Sequence, residues 1–324
     1  MIKKPVSAKN WKTLPKLKKF PAFESPATWF FGNAKGGVGK TTLAFNFAHF
    51  LNDHRPGKVL FISTDLQKNA ENAFMAPEDD LIFDEELHIT ATQLFSAEED
   101  AEGNLAPYSA LGELSVFRTT DEIGFIPTRK DFAETERLSY DNLLNLAINI
   151  DYICQEFGFE HVIIDSRPSG GFTIASGLVA SDLVIVPCQP HQFSFEGLCE
   201  ISYRMRGANS ERINLGWPPL KLVGVVFNLV PKESKAAAQD LKDLYDICKD
   251  AALPNRIHDR APIREAITAG IPVWEKRIGG SPQSSEEILN FCIEAVKRGH
   301  KMLTNPDHNP YDDFIGELAE NHEG

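Results

Sequence analysis

"GNAKGGVGKTTLAFNF", residues 32–47, follows the apolar and aromatic run "ATWFF" and continues into "AHFL". The run before it has the composition of a buried strand. After it, Leu43, Phe47 and Phe50 recur at the spacing of one helix face, so that stretch reads as a helix. Between the two lies "KGGVGKTT". Its glycines let the chain turn with positive φ and bring backbone N–H groups close to an anion. The start of the helix adds its positive end. In such a loop Lys40 reaches the β- and γ-phosphates of a nucleotide as a point charge, and the Thr41 hydroxyl coordinates Mg²⁺. Gly36, Gly37, Val38, Gly39, Lys40, Thr41 and Thr42 are the expected phosphate-side contacts. A glycine-rich turn with no ligand is the competing reading. Strand, loop, lysine, threonine and helix all argue against it.

The usual pattern G-x-x-x-x-G-K-[ST] has glycine where this chain has Ala34, and Lys35 adds a second positive charge five residues before Lys40. That combination resembles the deviant Walker-A loop of the ParA/MinD group of ATPases. The resemblance implies that Lys35 crosses a dimer interface to the phosphates of the partner's nucleotide. Phosphoryl transfer needs positive charge on the γ-phosphate oxygens, and a residue donated in trans can supply it. The alternative for Lys35 is a solvated surface lysine.

Strand-like runs occur at Ala27–Phe31, Val59–Ser63, Ile123–Ile126, His161–Asp165, Leu183–Pro187 and Leu222–Phe227. Helical patterns fall at about 40–52, 138–157, 173–180, 195–207, 234–250 and 284–302. Their alternation predicts an α/β fold with a single doubly wound, mostly parallel sheet and helices on both faces, the P-loop NTPase fold of the resembled group. The organisation expected is a basic, proline-interrupted tail over 1–26, an ATPase domain over 27–303 and an acidic tail over 304–324.

Asp165 ends the apolar run of "HVIIDSRPSGG", where a Walker-B aspartate would hold the magnesium shell. In the resembled group a small polar residue and two prolines follow that aspartate; here Ser166, Arg167 and Pro168 follow. Arg167 departs from the pattern and reads as a surface residue or as a contact to nucleotide, partner or DNA. "KVLFISTDLQKNA" aligns with the group's D-x-D-P-Q-x-N-A switch segment on Gln67, Asn69 and Ala70. The alignment puts Asp65 on the second aspartate, which the resemblance implies orients the attacking water. Ser63 and Leu66 replace the first aspartate and the proline. A helix N-cap is the alternative role for Asp65. "LVGVVFNLV" resembles the strand whose terminal Asn228 sits near the adenine, and "IREAITAGIPVWE" a late R-x-x-E-A-x-x-x-G-x-P-V segment. The resemblance spans roughly residues 27–300.

Composition narrows the function. The five cysteines are scattered with no C-x-x-C pair, so they read as free thiols of a reducing cytosol, and an iron–sulfur carrier is disfavoured. No run of 18 apolar residues appears, so no membrane span is expected. The net charge is −13; residues 1–20 hold seven lysines and no acid, leaving −20 for residues 21–324. An acidic surface resists broad adhesion to nucleic acid, so DNA binding needs a local basic patch. Candidates are Lys232 and Lys235, Lys276 and Arg277, and Arg204 and Arg206, with the lysine-rich N-terminus a solubilising tail or a DNA-touching arm. The acidic C-terminal segment "DDFIGELAENHEG" is a poor anchor for anionic lipid.

The resemblance then implies a cytoplasmic, Mg²⁺-dependent ATPase of the ParA kind. It would dimerise with ATP, bind DNA without sequence preference, associate with the nucleoid, and be stimulated by a ParB-like or other partner protein to move a plasmid, chromosome or cargo. A protein-positioning ATPase that binds no DNA, and a small-molecule P-loop kinase or ligase, are the alternatives. Lys35 disfavours the last.

Overall fold

A computed structural model describes residues 15, 17, 19–75, 82–191, 194–232, 235–275, 281–305 and 310–323. The loop of residues 32–39 joins β1 (Ala27–Phe31) to α1 (Lys40–His54). β1 lies inside the sheet, parallel to β7 (His161–Asp165) on one side and to β8 (Leu183–Cys188) on the other. Outward from these come β2 (Val59–Ser63), β6 (Gly124–Ile126) and β5 (Phe117–Arg118) on one flank and β9 (Lys221–Phe227) on the other, giving the order β5-β6-β2-β7-β1-β8-β9. Within this sheet, among the described residues, only the β5–β6 pairing is antiparallel. The doubly wound, mostly parallel sheet expected from the sequence is therefore present.

The unbroken apolar runs follow from burial of both sheet faces. Trp29, Phe31, Phe61 and Ile163 enter a core beneath α1, α7 (Ala261–Thr268) and α8 (Pro282–Leu303). Their alternates Phe30, Ile62 and Ile164 enter the core formed with α3 (Asn145–Phe157), α4 (Phe172–Val179) and α5 (Ser194–Asn214). Side chains that alternate along a strand fill two layers with one sequence. The remaining helices are α2 (Asn69–Phe74) and α6 (Lys235–Cys248). β3 (Ala97–Glu99) and β4 (Leu105–Pro107) form a separate antiparallel pair.

Three stretches differ from expectation. The helical pattern over 138–157 is helix only from Asn145; Lys130–Arg137 and Tyr140–Asn142 are 3₁₀ turns. Part of the expected basic tail is packed: Phe20 stacks on His54 with centroids 5.2 Å apart, and Phe23 meets His161 and His300 edge-on at 4.8 and 5.4 Å. Part of the expected acidic tail is α9 (Asp312–Glu323), which packs along α5. Ile315, Leu318 and Ala319 are buried while Glu317 and Glu320 stay exposed. The segment is acidic because one face meets water, and helical because the other covers α5. Among the described residues no helix is long and apolar enough to cross a membrane.

Two predictions follow from the packing. Leu318→Ala removes a side chain 3% exposed, and urea titration is expected to show a loss of about 2–4 kcal/mol. Burial beside Phe20 and Phe23 holds the His161 imidazole down to about 4 from its usual 6.5, with Glu160 opposing and Arg55 assisting. Because the folded value is depressed, this contribution is complete above pH 6.5 and is lost as pH falls towards 4, where the unfolded chain binds the extra proton. His161→Phe is expected to flatten that acid limb by up to about 3 kcal/mol in pH-dependent unfolding.

Candidate nucleotide site

The loop between β1 and α1 turns through Gly37 and Gly39, at φ 75° and 85°. A Cβ on Gly39 would lie 2.2 Å from the Asn228 side-chain nitrogen, so only glycine satisfies both the conformation and the space. Two asparagines pin the loop to the sheet. Asn33 donates from Nδ2 to the Pro187 carbonyl (2.7 Å) and accepts the Lys35 N–H (2.9 Å). Asn228, beyond the end of β9, donates from Nδ2 to the Val38 carbonyl (2.9 Å). Asn228, which the resemblance sets near the adenine, thus braces the loop backbone. Lys40 is buried and its ammonium donates to the carbonyls of Asn33 (3.1 Å) and Lys35 (3.0 Å). Lys35 is half-buried, and Gly36 and Gly37 are exposed. The first turn of α1 contains no acid to neutralise the positive helix end.

Asp165 ends β7 level with Phe31 on β1 and Ser63 on β2. It is fully buried, and neither carboxylate oxygen has a hydrogen-bond partner among the described residues. Burial pushes its pKa up to about 7; Thr41 and Lys40 pull the other way, and Asp65 and Glu71 add to the rise. Burial likewise lowers the Lys40 pKa, against the pull of Asp165 and Asp65. A buried carboxylate beside a threonine hydroxyl offers oxygen donors of the kind Mg²⁺ takes alongside water and phosphate. Thr41 and Asp165 fit the magnesium role expected of them.

Asp65 is almost buried, and its Oδ1 accepts the Gln67 N–H at 3.0 Å. It does not cap α2, whose N-cap is Lys68, so the N-cap alternative is set aside. Sequence reasoning missed two members of the site. Asn33 carries no motif signal, because its partner lies 154 residues away. Glu71 sits in the short α2, 6% exposed, and accepts from Thr128 N–H and O–H at 2.8 and 2.7 Å. The departure at Arg167 has a local explanation: its guanidinium lies 3.4 Å from Glu136, whose carboxylate also accepts the Gly171 and Phe172 N–H groups at the start of α4.

The candidate DNA contacts differ in their surroundings. Arg204 is engaged by Glu200 (2.8 Å) and the Gly170 carbonyl (3.2 Å), whereas Lys232 and Arg206 are exposed. The Lys235 side chain, Lys276, Arg277 and most of the lysine-rich N-terminus lie outside the described residues.

Asp165→Asn tests the buried charge. Without nucleotide or metal the folded-state pKa lies above the usual 3.8, so wild type loses stability as pH rises through about 7. The variant is expected to exceed wild type by about 1–3 kcal/mol at pH 8 in chelator, with the difference closing near pH 4. Urea titration at the two pH values checks this.

The family model described as an AAA domain matches residues 28–215, more than half of the chain. The chromosome partitioning protein ParA of Caulobacter vibrioides is 28% identical over 82% of this chain and 92% of its own. An uncharacterized protein of Methanocaldococcus jannaschii is 27% identical over 82% of this chain and 97% of its own. Among solved structures, McdA of Cyanothece in its ATP complex superposes with a TM-score of 0.66 at 19% identity, covering 85% of this chain and 98% of that one; this last likeness is one of fold. With the loop chemistry, the sheet order and the family match in agreement, the chain belongs to the ParA-type AAA-domain family of P-loop ATPases.

Proposed function

We propose that this protein hydrolyses ATP with Mg²⁺ in a nucleotide-dependent homodimer, and that the dimer partitions or positions DNA or another cargo. The observation that carries this reading is Lys35, half-buried beside the exposed Gly36 and Gly37, in a loop whose own lysine, Lys40, is already present and buried. A second lysine has no task in a single subunit's site. It has one if the loops of two subunits face each other.

Bound ATP and magnesium would supply the scissile phosphoryl group and the metal charge that steadies it. The chain's residues divide the remaining work. Lys40 exchanges the Asn33 and Lys35 carbonyls for phosphate oxygens. Backbone N–H groups of residues 36–42 cradle the phosphates at the positive end of α1. Thr41 and Asp165 hold the metal shell, and Asp65 orients water. Lys35 reaches the partner subunit's nucleotide, so hydrolysis and dimerisation depend on each other.

A relative named as a chromosome partitioning protein supports the partition role; the proposal adds a cytoplasmic location, non-specific DNA binding at the nucleoid and a ParB-like or other stimulating partner. Pairing two copies doubles the number of basic groups that one DNA segment can meet. DNA retention is therefore expected to need ATP.

Two measurements test the proposal. Asp65→Ala is expected to slow hydrolysis by about 10²-fold with ATP affinity retained; unchanged turnover sinks the role of Asp65. Non-specific duplex DNA is expected to retain the protein with ATP but not ADP, to release Lys35→Ala, and to let go as salt rises. No retention in any state, with ATP-dependent dimerisation intact, moves the assignment to a protein-positioning ATPase. A Lys35→Ala variant that dimerises and hydrolyses ATP normally moves it to a small-molecule kinase or ligase.

A further inference from the structure

The segment between β2 and α2 is attached to the sheet at both ends: Thr64 donates its N–H and hydroxyl to the Asp165 carbonyl (3.0 and 2.9 Å), and at the far end Glu71 is met by Thr128. Thr128, 1% exposed, lies two positions beyond β6. Its N–H and O–H both lie within hydrogen-bond distance of Glu71 Oε1 (2.8 and 2.7 Å), and its hydroxyl is also 3.3 Å from the Asp65 carbonyl. A hydroxyl has one proton, so the charged carboxylate takes it and the carbonyl holds the weaker share. Both ends of residues 65–71 lie against Thr128, but its donors go to the Glu71 end, so the hold there is the Glu71–Thr128 pair. Lys68 stands between the two ends at φ 57°, outside any glycine. That conformation is strained for a residue with a Cβ and persists only where the surroundings impose it. The Lys68 side chain is exposed, its N–H donates to the Asp65 carbonyl (3.3 Å) and the Gln67 N–H to Asp65 Oδ1 (3.0 Å), so the turn's own bonds and the anchors at its two ends share the restraint.

The Glu71 carboxylate is an expensive way to fill space. It is buried, and its Oε2 has no hydrogen-bond partner among the described residues. A leucine or glutamine would pack there without burying a charge. We infer that Glu71 is a positioning residue of the hydrolytic site: its clasp on Thr128 holds residues 65–71 against the strain at Lys68, and so fixes where the Asp65 carboxylate stands. For turnover this rests on the ATPase reading; the clasp itself does not.

The test uses the full-length protein with Thr128→Val, Glu71→Ala and Thr128→Ser. Thr128→Val removes the hydroxyl and keeps the side-chain shape. Thr128→Ser restores the hydroxyl as the rescue. The first readout is the rate of tryptic cleavage after Lys68 in nucleotide-free protein, which follows the population of the opened segment. Thr128→Val and Glu71→Ala are expected to cleave about fivefold faster or more, and Thr128→Ser near the wild-type rate. The second readout is ATP turnover against ATP affinity. Turnover is expected to fall about tenfold in Thr128→Val, with affinity within about threefold of wild type. Unchanged cleavage at Lys68 in both disrupting variants overturns the clasp. Turnover, ATP affinity and Tm falling together in Thr128→Val overturn the positioning role and leave a structural one. If the wild type does not hydrolyse ATP, the ATPase reading fails, and the cleavage rates still decide the clasp.

Discussion

The site is organised around a carboxylate and an ammonium that are both buried before any ligand arrives. Asp165 and Lys40 attract each other, yet the Lys40 ammonium donates to loop carbonyls, and among the described residues no donor meets the Asp165 oxygens with full hydrogen-bond geometry, the Thr41 hydroxyl lying beside them. Such an arrangement costs stability that a closed ion pair would recover in part. The sheet supports it by brute packing: β1, β2 and β7 are buried along their whole length, and their C-terminal ends lie side by side. The loop, held by asparagines from β8's and β9's side, has little freedom to relax onto the acid. A rigid scaffold keeps positive and negative groups ready for a polyanion and its cation, the electrostatic preorganisation that phosphoryl transfer depends on.

The departures from the usual switch and Walker-B patterns are absorbed locally. Ser63, where the resembled group has an acid, is fully buried next to Asp165 in the sheet, and its hydroxyl has no partner among the described residues. A second carboxylate in that position would have raised the electrostatic cost of Asp165 further. Glu71 brings acidic charge into the same neighbourhood from α2 instead, held by hydrogen bonds to Thr128. Arg167 is neutralised by Glu136, which also satisfies the start of α4.

How much was legible in the sequence followed the range of the interactions involved. The loop was readable because strand, turn glycines, lysine and helix are contiguous. The parallel strands were readable because burial on both faces leaves continuous apolar runs. Asn33 and Glu71 were not, since each acquires its role from a partner far along the chain. A six-residue helix such as α2 is also too short for periodicity to register. Over 138–157 the helical reading included Tyr140–Asn142, a 3₁₀ turn that buries none of its residues. The acidic C-terminal segment misled through its charge: the pattern of Ile315, Leu318 and Ala319 acquires meaning only once α5 is there to receive it.

The packing of Phe20 and Phe23 fixes a direction for the whole molecule. Both rings touch His161, the first residue of β7, while Asp165 is its last. Four residue steps of parallel strand separate the two by roughly 13 Å. The chain therefore enters at the edge of the sheet opposite the one that carries the nucleotide loop. A fluorophore or surface tether attached at Lys19, exposed next to Phe20, stands on the rear of the subunit and leaves the loop face open.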